Sequence, residues 1–332
     1  MVKKVINNPK DVTKESLRGL HLAREEETIL MEEYSSLIMK NIPKGKVAVL
    51  VGGGSGHEPL FAGFVGENLA DGAVCGNVFA APSPDRILAT TRAVDRGKGV
   101  LYLYGNYAGD NMNFDIASEL AEELDIPIKT VRVWDDVASA PLDKITERRG
   151  IAGDVFVIKI AGAAAKEISD LEEVYRVTCK ARDFTRSMGV ALSPGSIPET
   201  GEYTFTLGVD EIEIGMGLHG ERGIARQRMI PADELVDLVL KRIIEDLPFV
   251  QEDKVCLLIN NLGATTMMEL LIINRAARKI LNDYGMNVHK TLIGSYCTSQ
   301  EMAGFSISLL KLDLELERLF DIPMSSFALT MD

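Results

Sequence analysis

Cysteine and histidine are scarce, with four of each in 332 residues. The cysteines, Cys75, Cys179, Cys256 and Cys297, stand far apart and never form Cys-x-x-Cys. That spacing excludes a disulfide framework and a zinc ribbon, and it reads as buried thiols of a cytosolic protein with no bound metal. Positive charge is also short: 36 Lys and Arg face 49 Asp and Glu, a net charge of −13. No basic run exceeds Arg148-Arg149. Nucleic acid and anionic membrane surfaces repel such a chain. No apolar run approaches the ~20 residues of a membrane span. The start, Met1-Val2-Lys3-Lys4-Val5-Ile6-Asn7-Asn8, carries lysines without an apolar stretch behind them, so it does not read as a secretory signal. A P-loop, G-x-x-x-x-G-K-[ST], is missing, and so is G-x-G-x-x-G with an acidic residue about twenty positions on. No internal repeat is evident.

What is present is an ordinary globular composition, 46% hydrophobic and 26% charged, long enough for about two domains of ~150 residues. Short apolar runs end in glycine or acidic loops: Lys46 to Val51, Gly99 to Tyr104, Thr130 to Trp134, and Val155 to Ile160 before an alanine-rich helix. Helical stretches separate them, including Ile116 to Leu124. Strands and helices alternating at this spacing predict an α/β fold with mixed, largely parallel sheets. Before the first run, Thr13 to Leu20 and Glu25 to Met39 show polar helical patterns, with Thr13 and Ser16 as a candidate cap. The pattern changes near Met188 to Gly195. Tyr203 to Leu207 and Glu211 to Leu218 then read as hairpin-like strands. A helix over 233–245, a strand over 255–259, a helix over 266–281, and strands over 291–294 and 305–310 follow. We place the domain boundary at 186/187, giving domains 1–186 and 187–332.

Three chemistry-bearing positions sit in glycine-rich or strand-end loops. Gly52-Gly53-Gly54-Ser55-Gly56-His57 follows a buried strand; its glycines allow a ligand close to the backbone, and its N–H groups can form an anion-binding concavity. A tight turn without a ligand is the alternative. His57 stands where open α/β sheets bind ligands, though a histidine there is as often structural. Asp110 occupies the corresponding place six residues after another strand, where it serves either chemistry or as a cap for a helix starting near Met112. His219 lies among Gly215, Gly217, Gly220 and Gly223, a backbone bent around an unobstructed ring. Imidazole and carboxylate suit acid–base work near neutral pH. His21 and His289 read as structural. Asp313-Leu314-Glu315-Leu316-Glu317 reads as the solvated face of a last helix, Asp135-Asp136 as caps or a cation site, and Met267-Met268 as core.

Longer motifs carry a resemblance. Gly52 to Pro59, Asn106-Tyr107-x-Gly109-Asp110-x-x-Asn113-Phe114, Arg148-Arg149-Gly150, Gly217-x-His219-Gly220-Glu221 and Asn260-Asn261-Leu262-Gly263-Ala264-Thr265 resemble the K subunit of dihydroxyacetone kinase. Gly294-x-Tyr296-Cys297-Thr298-Ser299 and Gly304-Phe305-Ser306-Ile307 do so too. The resemblance spans nearly the whole chain. It implies a cytoplasmic homodimer of two α/β domains with the ligand site between them. It also implies a glycerone-kinase-type phosphotransferase that depends on phosphoenolpyruvate through partner subunits. The residue matching His219 would hold dihydroxyacetone as a covalent hemiaminal, Asp110 would act as general base on the substrate hydroxyl, and His57 would bind the substrate and assist. Gly53, Gly54, Ser55, Gly56 and Gly105 would line the substrate. The chain stops at Asp332, so the resemblance implies that ADP or ATP and magnesium belong to a separate L subunit, recharged by a phosphotransferase-system protein, with no cofactor here. Kinases of the family usually carry lysine where Gly105 stands and hydroxyl residues where Ala80 and Ala81 stand. These departures open two alternatives: a catalytically silent, dihydroxyacetone-sensing co-activator of a transcription regulator, or a kinase subunit for a four-carbon ketose.

Overall fold

The computed structural model describes residues 3–332; Met1 and Val2 of the N-terminal reading lie outside them. In chain order the first elements are α1 (Val12–Ala23), β1 (Thr28–Met31), β2 (Ser36–Met39), β3 (Ala48–Ser55), β4 (Gly66–Glu67) and β5 (Gly72–Val78). Next come α2 (Pro84–Val94), β6 (Val100–Gly105), α3 (Ala108–Glu122), β7 (Ile128–Val133), α4 (Asp154–Glu167) and α5 (Leu171–Asp183). The later chain forms β8 (Thr185–Ser193), β9 (Glu211–Ile214), β10 (Ala225–Arg228), α6 (Ala232–Asp246), β11 (Lys254–Asn261), α7 (Met267–Asp283), β12 (Asn287–Gly294) and β13 (Ala303–Leu312). It closes with α8 (Leu314–Phe320), β14 (Met324–Ser326) and β15 (Thr330–Met331).

One compact unit comprises residues 3–133, 156–181 and 316–332. Its six-stranded sheet runs β1-β2-β5-β3-β6-β7. The pairs β5/β3, β3/β6 and β6/β7 are parallel, while β1/β2 and β2/β5 are antiparallel. Val49, Leu50 and Val51 of β3 and Val100 to Tyr104 of β6 are fully buried, which is why both read as unbroken apolar runs. The stretch expected as a polar helix over 25–39 is instead the β1/β2 hairpin. Pairing of Ser36–Ile38 with Gly72–Val74 overrides the glutamate-rich local preference. Thr13 lies inside α1, whose N-cap residue is Asp11, so the Thr13/Ser16 cap is not formed. The apolar run 155–160, expected as a strand, is the first half of α4. That helix is buried along 154–165, and burial on all sides erases the periodicity that would have marked it.

The other unit comprises residues 134–155 and 182–315. Its sheet runs β10-β9-β8-β13-β11-β12. Only β11/β12 is parallel; the other pairs are antiparallel. Three of the four parallel pairs among the described strands therefore lie in the first sheet. Leu235, Val236, Val239, Leu240 and Ile243 of α6 and Leu270, Ile273, Ala277 and Leu281 of α7 cover this sheet. Thr266 and Glu269 form a reciprocal capping box at the start of α7. Residues 203–207 form no strand; Tyr203 makes a lone bridge to Ser196.

The observed division departs from a single cut at 186. Residues 316–332 join the first unit because β14 pairs with β4 and the buried Lys159 donates to the carbonyls of Leu319 and Ile322 at 3.1 and 2.7 Å. Residues 134–155 join the second. Asp135 accepts the N–H groups of Ile151 and Gly153, each at 2.8 Å. Arg148, 1% exposed, donates twice to Asp246 at 2.8 and 2.6 Å, and Arg186 donates to the same carboxylate at 2.6 Å. Burial pushes the Asp246 pKa up, but the two guanidinium groups outweigh it and hold it below the ordinary value. Asp246→Ala leaves two buried cations without their shared anion and should cost about 3–5 kcal/mol in denaturant unfolding. A carboxylate with a lowered folded pKa stabilises above its unfolded value of about 3.9, and loses that contribution as pH falls through the folded one. The wild-type advantage over the variant should therefore shrink only on the acid side.

Candidate functional site

On the first unit, the carboxyl ends of the parallel strands β5, β3 and β6 meet at one sheet edge. The glycine loop leaves β3 there, residues 79–83 leave β5, and Gly105 ends β6. A Cβ on Gly53 would lie 2.4 Å from the Phe61 ring, and one on Gly54 would lie 2.8 Å from the backbone N of Ala80. Side chains are thus excluded from both positions, and the backbone itself faces its neighbours. Gly56 has φ +101, a conformation that favours glycine. Its N–H donates to both oxygens of Glu58, at 3.1 and 3.0 Å. The Ser55 hydroxyl donates to the Gly76 carbonyl at 2.7 Å, pinning the loop to β5.

His57 is 3% exposed and packs on Phe79, with ring centroids 5.1 Å apart and planes tilted by 36°. Asp110, 9% exposed, lies in the first turn of α3 behind the N-cap residue Tyr107. The helix therefore starts earlier than the sequence suggested, and Asp110 is not its cap. Negative charge is favoured at that end by the helix dipole. The 79–82 segment links the two regions. Phe79 and Ala80 abut Gly54, a Cβ on Gly109 would lie 3.5 Å from that of Ala81, and Asn113 donates to the Pro82 carbonyl at 2.9 Å. The structure thus brings His57, Gly53, Gly54, Ser55, Gly56, Gly105 and Asp110 to one edge. It places Ala80 against the glycine loop and Ala81 against the start of α3.

His219 stands on the second unit, in the loop after β9. Gly215 and Gly220 adopt φ +79 and +85. A Cβ on Gly217 would lie 2.3 Å from Glu221 Oε2 and 2.4 Å from Arg149 Nη1, so this glycine gives those two side chains their room. The imidazole is 26% exposed. Its Nδ1 lies 3.0 Å from Glu221 Oε1, and the His219 N–H donates to Glu221 Oε2 at 2.8 Å. Arg149 Nη1 lies 3.9 Å from Glu221 Oε2. Its Nε and Nη2 donate to Asp136 Oδ2 at 3.1 and 2.8 Å, and Nη2 also donates to the Gly215 carbonyl at 3.3 Å. Burial pushes the Glu221 pKa up, but the hydrogen bond and charge of His219, helped by Arg149, bring it down to about 2. Burial raises that of Asp136 to about 6 against the pull of Arg149.

Sequence reasoning singled out His219 but gave its partners no role beside it: Glu221 and Arg149 stand in the motifs that carry the resemblance, and Asp136 read as a cap or a cation site. A Glu two residues on, across a glycine, was the available signal. Arg149 and Asp136 are 70 and 83 positions away and leave no spacing to find. Asp135 and Asp136 are engaged with backbone N–H groups and Arg149, as structural carboxylates. Asn260 and Asn261 also serve the backbone. Asn260 Oδ1 accepts from the N–H groups of Tyr296 and Cys297 at 3.0 and 2.9 Å, and Asn261 Oδ1 accepts from those of Gly263 and Thr265 at 2.9 and 3.0 Å. The His21 ring pairs with the Thr28 hydroxyl at 3.0 Å. Met267 and Met268 are 54% and 73% exposed rather than core. The four cysteines are free thiols. No helix among the described residues is long and apolar enough to cross a membrane.

A model of the Dak1 domain matches residues 18–328. The chain is 42% identical over 324 residues to the dihydroxyacetone-binding subunit DhaK of PTS-dependent dihydroxyacetone kinase 2 from Listeria innocua, covering 97% of each chain. It is 36% identical over 328 residues to the L-erythrulose 1-kinase of Mycolicibacterium smegmatis, covering 97% of this chain and 57% of that protein. Among solved structures it matches the dihydroxyacetone kinase operon co-activator Dha-DhaQ with a TM-score of 0.90 at 28% identity, over 95% of this chain and 97% of that one.

Proposed function

The chain belongs to the Dak1-domain family, and from that premise we propose that it is the dihydroxyacetone-binding subunit of a phosphoenolpyruvate-dependent kinase. His219 captures the ketose: a ring nitrogen bonds to the carbonyl carbon, the C=O π pair moves to oxygen, and that oxygen takes a proton from solvent. Glycerol offers hydroxyls but no carbonyl, so it cannot form this bond. Asp110 takes the proton of the substrate hydroxyl, His57 hydrogen-bonds the substrate, and the backbone of Gly53, Gly54 and Gly56 with Gly105 lines it. A partner subunit carrying ADP or ATP and magnesium donates the phosphoryl group, so this homodimeric, cytoplasmic chain needs no nucleotide loop. The observation that carries the reading is the His219 loop: a partly exposed imidazole, held at Nδ1 by a carboxylate, in a chain 42% identical to a dihydroxyacetone-binding subunit.

A second reading, a ketose-sensing co-activator, is favoured by Gly105, Ala80 and Ala81. A cation and two hydroxyls that would stabilise a transferring phosphoryl group are absent at the edge that carries Asp110. Capture by His219 survives those losses. A third, a four-carbon ketose as substrate, draws on the erythrulose kinase relative. The test combines the protein with an L subunit, the phosphotransferase components and either dihydroxyacetone or erythrulose. Phosphoenolpyruvate consumption is followed, and the ketone adduct is detected by native mass spectrometry. Turnover supports the kinase, and the faster ketose names the substrate. An adduct without turnover leaves the co-activator reading, and neither signal overturns all three.

A further inference from the structure

Capture of a ketose by His219 needs a ring held in one tautomer and one orientation, and the partners of the ring set both. Resting on that capture reading, we infer that Glu221 is a positioning residue that keeps the His219 ring proton on Nδ1, and that Arg149, anchored on Asp136, holds Glu221 in place.

An ionised carboxylate only accepts hydrogen bonds. Both of its oxygens are engaged by His219, Oε2 by the backbone N–H at 2.8 Å and Oε1 by Nδ1 at 3.0 Å. The ring proton must therefore sit on Nδ1, and the lone pair is left on Nε2. The low pKa of Glu221 agrees with this, because the carboxyl stays ionised across the neutral range. When Nε2 bonds to a carbonyl carbon and the oxygen is protonated by solvent, the ring keeps its Nδ1 proton and becomes an imidazolium. Its new positive charge faces the Glu221 carboxylate directly, so this contact strengthens as the adduct forms. Arg149 sits 3.9 Å from Glu221, a distance at which it steers the carboxylate without competing for its short bonds. Asp136 and the Gly215 carbonyl fix the guanidinium in turn. The loop leaves room for this arrangement at Gly217, where a side chain would collide with both Glu221 and Arg149.

The test uses full-length protein labelled with 15N-histidine and dihydroxyacetone labelled with 13C at the carbonyl. In the wild type, the free His219 ring should carry its proton on Nδ1, and the ligand should show a tetrahedral carbon signal. Glu221→Gln keeps the shape but not the charge, and the adduct should weaken about tenfold; Glu221→Ala should weaken it about a hundredfold, by analogy with the ~10–100-fold that carboxylate partners of metal-ligating histidines contribute. In Glu221→Ala the ring proton should also shift toward Nε2. If the alanine variant does not fold, the glutamine variant carries the test alone. Variants with the wild-type proton position and adduct constant overturn the inference. A wild type that shows the Nδ1 proton but no tetrahedral carbon overturns the capture reading instead, while leaving the hold of Glu221 on the ring supported.

Discussion

His219→Ala is expected to abolish the ketone adduct and, with it, all measurable turnover. The substitution removes the one proposed covalent bond between protein and ligand, while the glycine loop and Asp110 stay on their own unit. The ring is 26% exposed and paired with Glu221, so its removal leaves that carboxylate without its partner and should cost about 1–3 kcal/mol. Denaturant unfolding of the variant is therefore measured beside binding, and loss of the adduct in a variant that still unfolds cooperatively reports chemistry rather than unfolding. The sharper readout is selectivity. Without a covalent bond, a pocket that binds hydroxyls discriminates weakly between dihydroxyacetone and glycerol, and the affinity ratio should collapse to within about tenfold. Calorimetric titration with both ligands and native mass spectrometry of the complex measure these effects. An adduct that persists in the variant removes His219 from its role.

How much of this was legible in the sequence depended on how each residue is buried. β3 and β6 announced themselves because strands covered on both faces must be apolar throughout, and the loops beyond them inherit the ligand-binding edge of an open sheet. By the same logic α4 misled, since a helix buried on every side shows the same unbroken run. The β1/β2 hairpin was hidden because its pairing partner, Gly72–Val74, is remote in sequence, and local composition cannot report it. The division into units was half visible. A change of pattern near 188 marks β8, but nothing local says that the last seventeen residues return to the first unit through β14. His57, Asp110 and His219 stood out because imidazole and carboxylate are conspicuous among glycines. Their supports were not conspicuous. Arg149 stood in the sequence only as half of the longest basic run and in a motif with no role attached, yet its neighbour Arg148 is buried against Asp246 while Arg149 itself reaches the His219 loop.

Asp110→Asn should separate capture from phosphoryl transfer. Asparagine matches the aspartate in shape and is tolerated in the first turn of α3, so the helix and the Asn113 bond to Pro82 should remain. What it cannot do is take a proton. General base catalysis contributes about 10²–10⁴-fold, and turnover with saturating L subunit should fall by that factor while the adduct on His219 forms as in the wild type. Steady-state phosphoenolpyruvate consumption and adduct mass, measured on the same preparation, test both halves. Wild-type turnover in the variant would remove Asp110 as the base and point to His57 or the partner subunit. Loss of adduct together with turnover would mean that Asp110 holds the ligand rather than deprotonating it. If the wild-type chain captures ketose but never turns over, Asp110→Asn should change nothing measurable, because a sensor needs the carbonyl trap and has no hydroxyl proton to remove.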